Sequence, residues 1–239
     1  MVIAVLLAGG QGSRLGGRHK PGIALAGRTL LDRALDAVAD ADRIVVVGPA
    51  TPTAGPPDPR VRWTLEHPRG GGPVAALAAG LAHEPEPPAV PEPPGEPGPP
   101  GQDTEHRLSR QDTDVDPSGQ DTEVVLLAAD LLGVTSGTVA RLRAALAADR
   151  SADGVVLCDA GGRWQWLIGV WRLGPLRSAL PAEPRGRSLR SVLSGLAVTA
   201  VPELPGESSD VDTPDDLARA IGDAGEGPVT GGPSQPSHW

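Results

Sequence analysis

The sequence contains no phenylalanine, no tyrosine and no asparagine, and it has one cysteine, one methionine and one lysine. Without Phe or Tyr, its core must be built from Leu, Val, Ala and Ile, helped by some of the five tryptophans. The single cysteine, Cys158, excludes an internal disulfide and any multi-cysteine metal site, and it fits a reducing compartment. The histidines (His19, His67, His83, His106 and His238) show no ligand spacing, which argues against a histidine metal site. The apolar start, residues 1–8, lacks a basic flank and runs into glycines, so it suits neither a membrane span nor a signal peptide. A soluble, cytoplasmic protein with no membrane partner is the expectation. A basic cluster is missing as well, which argues against a general nucleic-acid binder.

The net charge of −9 does not describe the whole surface. Residues 84–122 carry ten acidic side chains against two arginines, so the remainder is close to neutral. That segment also holds ten prolines and almost no large apolar side chain, a composition that cannot offset its ordering entropy. It is expected to be a disordered insert. Gln-Asp-Thr recurs in it at 102–104, 111–113 and 120–122, a period far too short for a solenoid. Residues 223–239, rich in Gly and Pro, are expected to form a flexible tail, leaving one domain over 1–222 around the insert.

Strand and helix signals alternate through that domain. Val2–Leu7 is a continuous apolar run suited to a buried parallel strand. Leucines at helical spacing predict a helix over 29–39, with Thr29 and Asp32 as a capping pair. Further strands are expected at 43–47, 61–65, 124–128, 154–158, 166–171 and 196–201, and further helices at 73–82 and 136–148. Thr213 is a good N-cap with Pro214 at the first helical position. The rhythm predicts an α/β fold: a single three-layer domain with a mainly parallel, Rossmann-like sheet. Ligands in such sheets lie beyond the carboxyl ends of the strands, where both the glycine-rich loop after Leu7 and Asp130 fall.

The lone lysine, Lys20, closes that loop. A lysine kept where every other lysine or arginine position is arginine suggests a site that needs a compact, flexible ammonium, and glycine-rich backbone beside it suggests a phosphate. Two common phosphate loops fail on spacing. A dinucleotide fingerprint would need glycine where Leu15 stands, and a Walker loop would need Gly-Lys-Ser/Thr where His19-Lys20-Pro21 stands. Leu7-Ala8-Gly9-Gly10-Gln11-Gly12-Ser13-Arg14-Leu15-Gly16, with Lys20 four residues on, instead resembles the signature of α/β nucleotidyltransferases.

Four later segments narrow the resemblance to the molybdenum cofactor guanylyltransferase family. They are Gly72-Pro73-Val74-Ala75-Ala76-Leu77-Ala78-Ala79-Gly80-Leu81, the strand Leu126-Leu127-Ala128-Ala129-Asp130, and Gln165–Trp171 together with Asp210-Val211-Asp212-Thr213-Pro214-Asp215-Asp216-Leu217. The resemblance spans the predicted domain and implies the fold of the nucleotide-diphospho-sugar transferases. It implies that Leu7, Ala8, Gly9, Gly10, Gly12 and Ser13 bind a nucleotide, that Arg14 and Lys20 hold its triphosphate, and that Glu66 and Gly72 lie at the nucleoside end. Asp130 would carry Mg²⁺ with Asp212 as a second carboxylate, so that Arg14, Lys20 and Asp130 form the catalytic set. Trp171 reads as core, whereas Trp166 is either core or the wall on which a pterin stacks. The implied reaction transfers GMP from GTP to a phosphorylated acceptor such as molybdopterin, releasing pyrophosphate.

Alternatives stay open at this stage. Another nucleoside triphosphate or another phosphorylated acceptor, of cytidylyl or sugar-phosphate type, would keep every residue named. A non-catalytic nucleotide-binding relative is suggested by His19, where the family usually has Asp, and by Leu131-Leu132-Gly133-Val134, where it has a proline-bearing stretch. Asp130 could merely cap the next turn, Asp212 could serve the helix dipole after Thr213, and Arg14 could be a solvated loop charge.

Overall fold

The computed structural model describes residues 1–9, 19–83, 122–211, 213 and 216. Every side chain of β1 (Val2–Leu7) is buried, as a strand covered on both faces requires. It pairs in parallel with β4 (Arg43–Val47) on one side and β6 (Glu123–Ala128) on the other. β5 (Val61–Thr64) extends the sheet beyond β4. Past β6 come β8 (Trp164–Arg172), β7 (Gly154–Cys158) and β9 (Val198–Pro202), giving the order β5-β4-β1-β6-β8-β7-β9. Of these seven strands β8 alone runs against its neighbours.

Alternate residues of the strands feed two cores. Ala4, Leu6 and Val46 pack with Leu31 and Ala34 of α1 (Leu30–Ala37) and with Val139, Leu142 and Leu146 of α3 (Ser136–Ala148). Val5, Leu7, Val45 and Val47 pack on the other face with α2 (Pro73–Ala82), α4 (Leu173–Ala179) and α5 (Leu189–Leu193). Each large apolar side chain so buried stabilises the fold by roughly 1.5–3 kcal/mol. The three layers and the mainly parallel sheet match the expectation from sequence. Among the described residues no helix is long and apolar enough to cross a membrane.

Thr29 and Asp32 close the expected capping box: the Asp32 N–H donates to Thr29 Oγ1 at 3.0 Å and the Thr29 N–H donates to Asp32 Oδ2 at 2.9 Å. Such a cap contributes about 1 kcal/mol. Asp32 Oδ1 also accepts the Ala54 N–H at 3.0 Å, tying the loop after β4 to the start of α1. Burial raises the Asp32 pKa, but the bonds from Thr29 and Ala54 outweigh it and hold the carboxyl below its ordinary value.

Several short elements escape the sequence pattern. Lys20–Gly22 forms a 3-10 turn, and β2 (Ala24–Leu25) and β3 (Arg28–Thr29) form a small hairpin. α4 begins Leu173-Gly174-Pro175, a sequence that reads as a breaker, yet Pro is tolerated in a first turn. α1 ends at Ala37 rather than 39, β5 at Thr64 rather than 65, and the last strand is shifted to Val198–Pro202. Thr122, assigned to the insert by composition, belongs to the body of the fold. It is buried, and its carbonyl accepts the Leu173 N–H of α4 at 3.0 Å. Arg177 of the same helix donates to the Leu81 carbonyl at 3.3 Å, near the end of α2. The expected disorder of residues 84–122, apart from Thr122, and of the tail 223–239 falls outside the described residues.

The tryptophans of β8 depend on a break in strand regularity. Between Val156 and Leu157 of β7 the partner jumps from Gly169 to Gln165. Strict alternation would send Trp166 and Trp171, five residues apart, to opposite faces; the irregularity brings both to the α2–α4–α5 side. Trp171 is wholly buried, as expected of a core residue, and a Cβ on Gly154 would overlap its indole.

Candidate active site

The carboxyl ends of β1, β5 and β6 and the start of α2 surround one cleft. The ladders run past the strand ends: the Ala8 N–H donates to the Val47 carbonyl at 2.9 Å and the Ala129 N–H to the Leu7 carbonyl at 3.0 Å. This fixes Gly9 and Asp130 on neighbouring strand exits. The cleft has a volume of about 390 Å³ and is lined by Leu7, Gly9, Glu66, Gly72, Asp130 and Leu167, among others. Ala8 is fully buried beneath it. Glu66 lies across from Gly9, where a Cβ would sit 3.9 Å from both of its carboxylate oxygens, and it accepts the Gly70 N–H at 3.0 Å. Gly72, the N-cap of α2, provides no side-chain cap, and Pro73 follows it. The positive end of that helix therefore faces the cleft, an arrangement favourable to an anion.

Lys20 and Asp130, far apart in the chain, meet here with Nζ 3.5 Å from Oδ2, and both side chains are part-buried. Among the described residues the Asp130 carboxylate has no other polar partner. Among the described residues it caps no turn. The 3-10 turn holds the lysine backbone, with the Ile23 N–H donating to the Lys20 carbonyl at 2.9 Å and Pro21 buried. His19 Nε2 lies 2.7 Å from Thr51 Oγ1, whose hydroxyl donates to the Pro49 carbonyl at 3.1 Å. With that proton committed, the histidine is the donor. Burial lowers the His19 pKa below its ordinary value, which favours the neutral ring.

The stretch after Asp130 anchors a second segment. Leu131 bridges Asp210 in antiparallel register, and the Leu132 N–H donates to the Ser209 carbonyl at 2.8 Å. Gly133 is needed for this approach, because a Cβ there would overlap the Gly206 carbonyl. Val211 is buried against Leu25, Leu30 and Leu132. Thr213 and Asp216 exchange the bonds of a capping box, the Thr213 N–H donating to Asp216 Oδ2 at 2.9 Å. The turn before it is pinned by Glu207, which accepts from Thr138 Oγ1 at 2.6 Å, from Arg141 at 2.7 and 3.1 Å, and from the Leu204 N–H at 2.6 Å. Burial pushes its pKa up, but these donors together hold it below the ordinary glutamate value.

Residues 4–200 match the family model described as the MobA-like NTP transferase domain. The chain belongs to that family. Among solved structures of similar fold, molybdopterin-guanine dinucleotide biosynthesis protein A from Archaeoglobus fulgidus shares 18% identity over 95% of this chain and 100% of its own, with a TM-score of 0.59. A nucleotidyl transferase from Methanothermobacter thermautotroptrophicus shares 19% identity over 94% and 97%, with a TM-score of 0.58. The 2-C-methyl-D-erythritol 4-phosphate cytidylyltransferase of Francisella tularensis shares 15% over 92% and 97%, with a TM-score of 0.62. No curated protein matches the chain.

For this member of the MobA-like NTP transferase family, the cleft gathers Leu7, Gly9, Glu66, Gly72 and Asp130, with Lys20 on Asp130 and Ala8 under the floor. Gly10, Gly12, Ser13, Arg14 and Asp212 lie outside the described residues. Among the described residues no three His, Cys, Asp or Glu side chains form a metal cluster. Sequence reading overlooked the loop 183–188, whose Gly186 N–H donates to the Gly71 carbonyl at 2.8 Å. Arg185 and Arg187 flank that contact and Arg190 follows; the run Arg-Gly-Arg-Ser-Leu-Arg was the available signal.

Proposed function

We propose that the protein transfers GMP from GTP to a phosphate of a molybdopterin-type acceptor, releasing pyrophosphate. The observation that carries this is the Lys20–Asp130 pair at the rim of a cleft whose walls are glycine backbone and a helix N-terminus. An acceptor phosphate, whose second pKa is about 6, is already largely dianionic at neutral pH and needs no general base. Its oxygen forms the new bond to the α-phosphorus as the bond to the β-phosphate oxygen breaks. Lys20, with Arg14, would neutralise the triphosphate, while Gly9, Gly10, Gly12 and Ser13 would present backbone N–H groups and Glu66 and Gly72 would face the nucleoside.

Asp130 and Asp212 would hold Mg²⁺, which supplies charge neutralisation on the phosphates when bound. One or two carboxylates with retained waters suit that ion, and Asp130 fits because, among the described residues, it keeps lone pairs that no donor other than Lys20 uses. A cytoplasmic setting accords with the lone cysteine.

A second reading, cytidylyl transfer to a sugar-like phosphate, is favoured by the cytidylyltransferase neighbour. Pyrophosphate release is to be measured with GTP, CTP, UTP or ATP, Mg²⁺, and either molybdopterin or 2-C-methyl-D-erythritol 4-phosphate. Turnover of GTP with molybdopterin is expected. Turnover of CTP or UTP but not GTP would sink the guanylyl reading, and tight nucleotide binding without release with any acceptor would make the protein a non-catalytic relative.

A further inference from the structure

Lys20 approaches Asp130 from a 3-10 turn, Lys20–Gly22, that lies outside the sheet. Internally the turn is closed by the Gly22 N–H on the His19 carbonyl at 3.1 Å and the Ile23 N–H on the Lys20 carbonyl at 2.9 Å. Those bonds shape the turn without fixing where it stands relative to the cleft. Its far end is tied to α1, where the Leu30 N–H donates to the Ile23 carbonyl at 3.0 Å. At its near end the tie is a side chain: His19 Nε2 donates to Thr51 Oγ1 at 2.7 Å. Among the described residues the His19 ring has no other polar partner.

Thr51 is a fixed point. It is buried, and its hydroxyl donates to the Pro49 carbonyl at 3.1 Å, so its oxygen accepts from one side and donates to the other. Its methyl also packs on the turn, since a Cβ on Gly22 would stand 3.3 Å from Thr51 Cγ2. The segment that carries it is clamped at both ends. Upstream, the Gly48 N–H donates to the Thr64 carbonyl at 2.9 Å, and Gly48 lies so close to Ala8 that a Cβ would overlap the Ala8 carbonyl. Downstream, the Ala54 N–H is held by Asp32 of α1 at 3.0 Å. Ala8 lies beneath the cleft, so Thr51 keeps register with that floor and passes it through His19 to the lysine turn. A lysine side chain is a flexible four-carbon stem with no planar fork to steer it, so its aim depends on a still backbone.

We infer that His19 is a positioning residue: through Thr51 it fastens the lysine turn to the exit of β4 and so holds the Lys20 ammonium where a triphosphate would meet it. This rests on the transferase reading above for the ligand, whereas the strut itself belongs to the chain. Because Lys20 is the sole lysine, labelling the full chain with lysine carrying ¹³C at Cε gives one methylene signal by NMR. A held side chain shows two inequivalent ε-protons, and a loose one shows an averaged pair at the free-lysine position. The wild-type chain is expected to show inequivalent protons, and Thr51→Val and His19→Ala the averaged pair. Thr51→Ser and His19→Gln, which keep a hydroxyl and an Nε2 donor, should restore the splitting. In pyrophosphate release, Thr51→Val and His19→Ala should each raise KM for GTP about fivefold with kcat within about twofold, the effect of one lost hydrogen bond on alignment. In a Lys20→Ala background His19→Ala should add no further rise.

Equivalent ε-protons in the wild-type chain, splitting unchanged in both Thr51→Val and His19→Ala, or a KM rise that persists on Lys20→Ala would overturn the assignment. A lowered Tm with splitting and KM unmoved would do the same, making the bond a loop staple. Should the splitting respond as expected while no nucleoside triphosphate is turned over with any acceptor, His19 still positions Lys20 and the transferase reading falls.

Discussion

Two acidic centres lie a few residues apart in space and are treated oppositely. Glu207 is buried and accepts from the Thr138 hydroxyl, both terminal nitrogens of Arg141, and the Leu204 N–H. Asp130 is part-exposed and meets the Lys20 ammonium at 3.5 Å, too long for a strong charge-assisted bond. A carboxylate saturated with donors holds a turn in place. Among the described residues Asp130 has that single loose cation, which leaves oxygen lone pairs unused there. Donor count and burial both separate the two acids.

The comparison can be broken by substitution. Asp130→Asn should lower kcat/KM on the order of a thousandfold in pyrophosphate release while leaving Tm almost unmoved. A matching loss of Tm would make Asp130 structural after all. Glu207→Ala should do the reverse, costing about 3 kcal/mol in urea unfolding, with kcat/KM retained within a few-fold below the transition. Because the folded-state pKa of Glu207 is depressed, its stabilisation is present above the ordinary glutamate value, about 4.3, and is lost as pH falls through the lower folded value. Glu207→Gln should flatten that acid limb of the stability curve; an unchanged limb would mean Glu207 is not what titrates.

Smaller effects sharpen the same contrast. Lys20→Arg keeps the charge but should raise KM for the nucleotide roughly tenfold, because a planar fork replaces a compact ammonium. Unaltered kinetics would deny the lysine any special role. Replacing residues 84–121 by a short Gly-Ser linker should leave Tm within about 2 °C. Extending the deletion to Thr122 should cost more, since that residue is buried and bonded to α4.

Sequence made the main frame legible because parallel strands buried on both faces leave continuous apolar runs, as in Val2–Leu7 and 124–128. The capping pair Thr29 and Asp32 and the N-cap at Thr213 were legible for a similarly local reason. α4 and α5 were not: seven and five residues give no readable period, and tertiary packing rather than propensity forms them. The glycine loop and Asp130 were readable as motifs, but their meeting was not, because spacing carries no information on a contact between residues so far apart. The shift in β8 was invisible for another reason. Alternation is the only signal a strand offers, and a bulge reverses it without marking the sequence. Trp166 therefore stayed ambiguous until its stacking on Trp171 was seen. The Leu131–Val134 stretch looked like a departure from the family pattern; it serves to dock the 204–211 turn.

The two hydrogen bonds from α4, one to Thr122 and one to Leu81, have a consequence for dividing the chain. They hold the exits of residues 83–122 within one short helix of each other, at the sheet edge where β6 begins, about 20 Å from its far end. Cutting there gives two fragments whose shared seam is the β1–β6 ladder, six residue pairs in parallel register. One fragment carries Gly9 and Lys20, and the other carries Asp130. The protein is thus a split enzyme in waiting: neither half holds a complete site, and nucleotide turnover would report their reassembly.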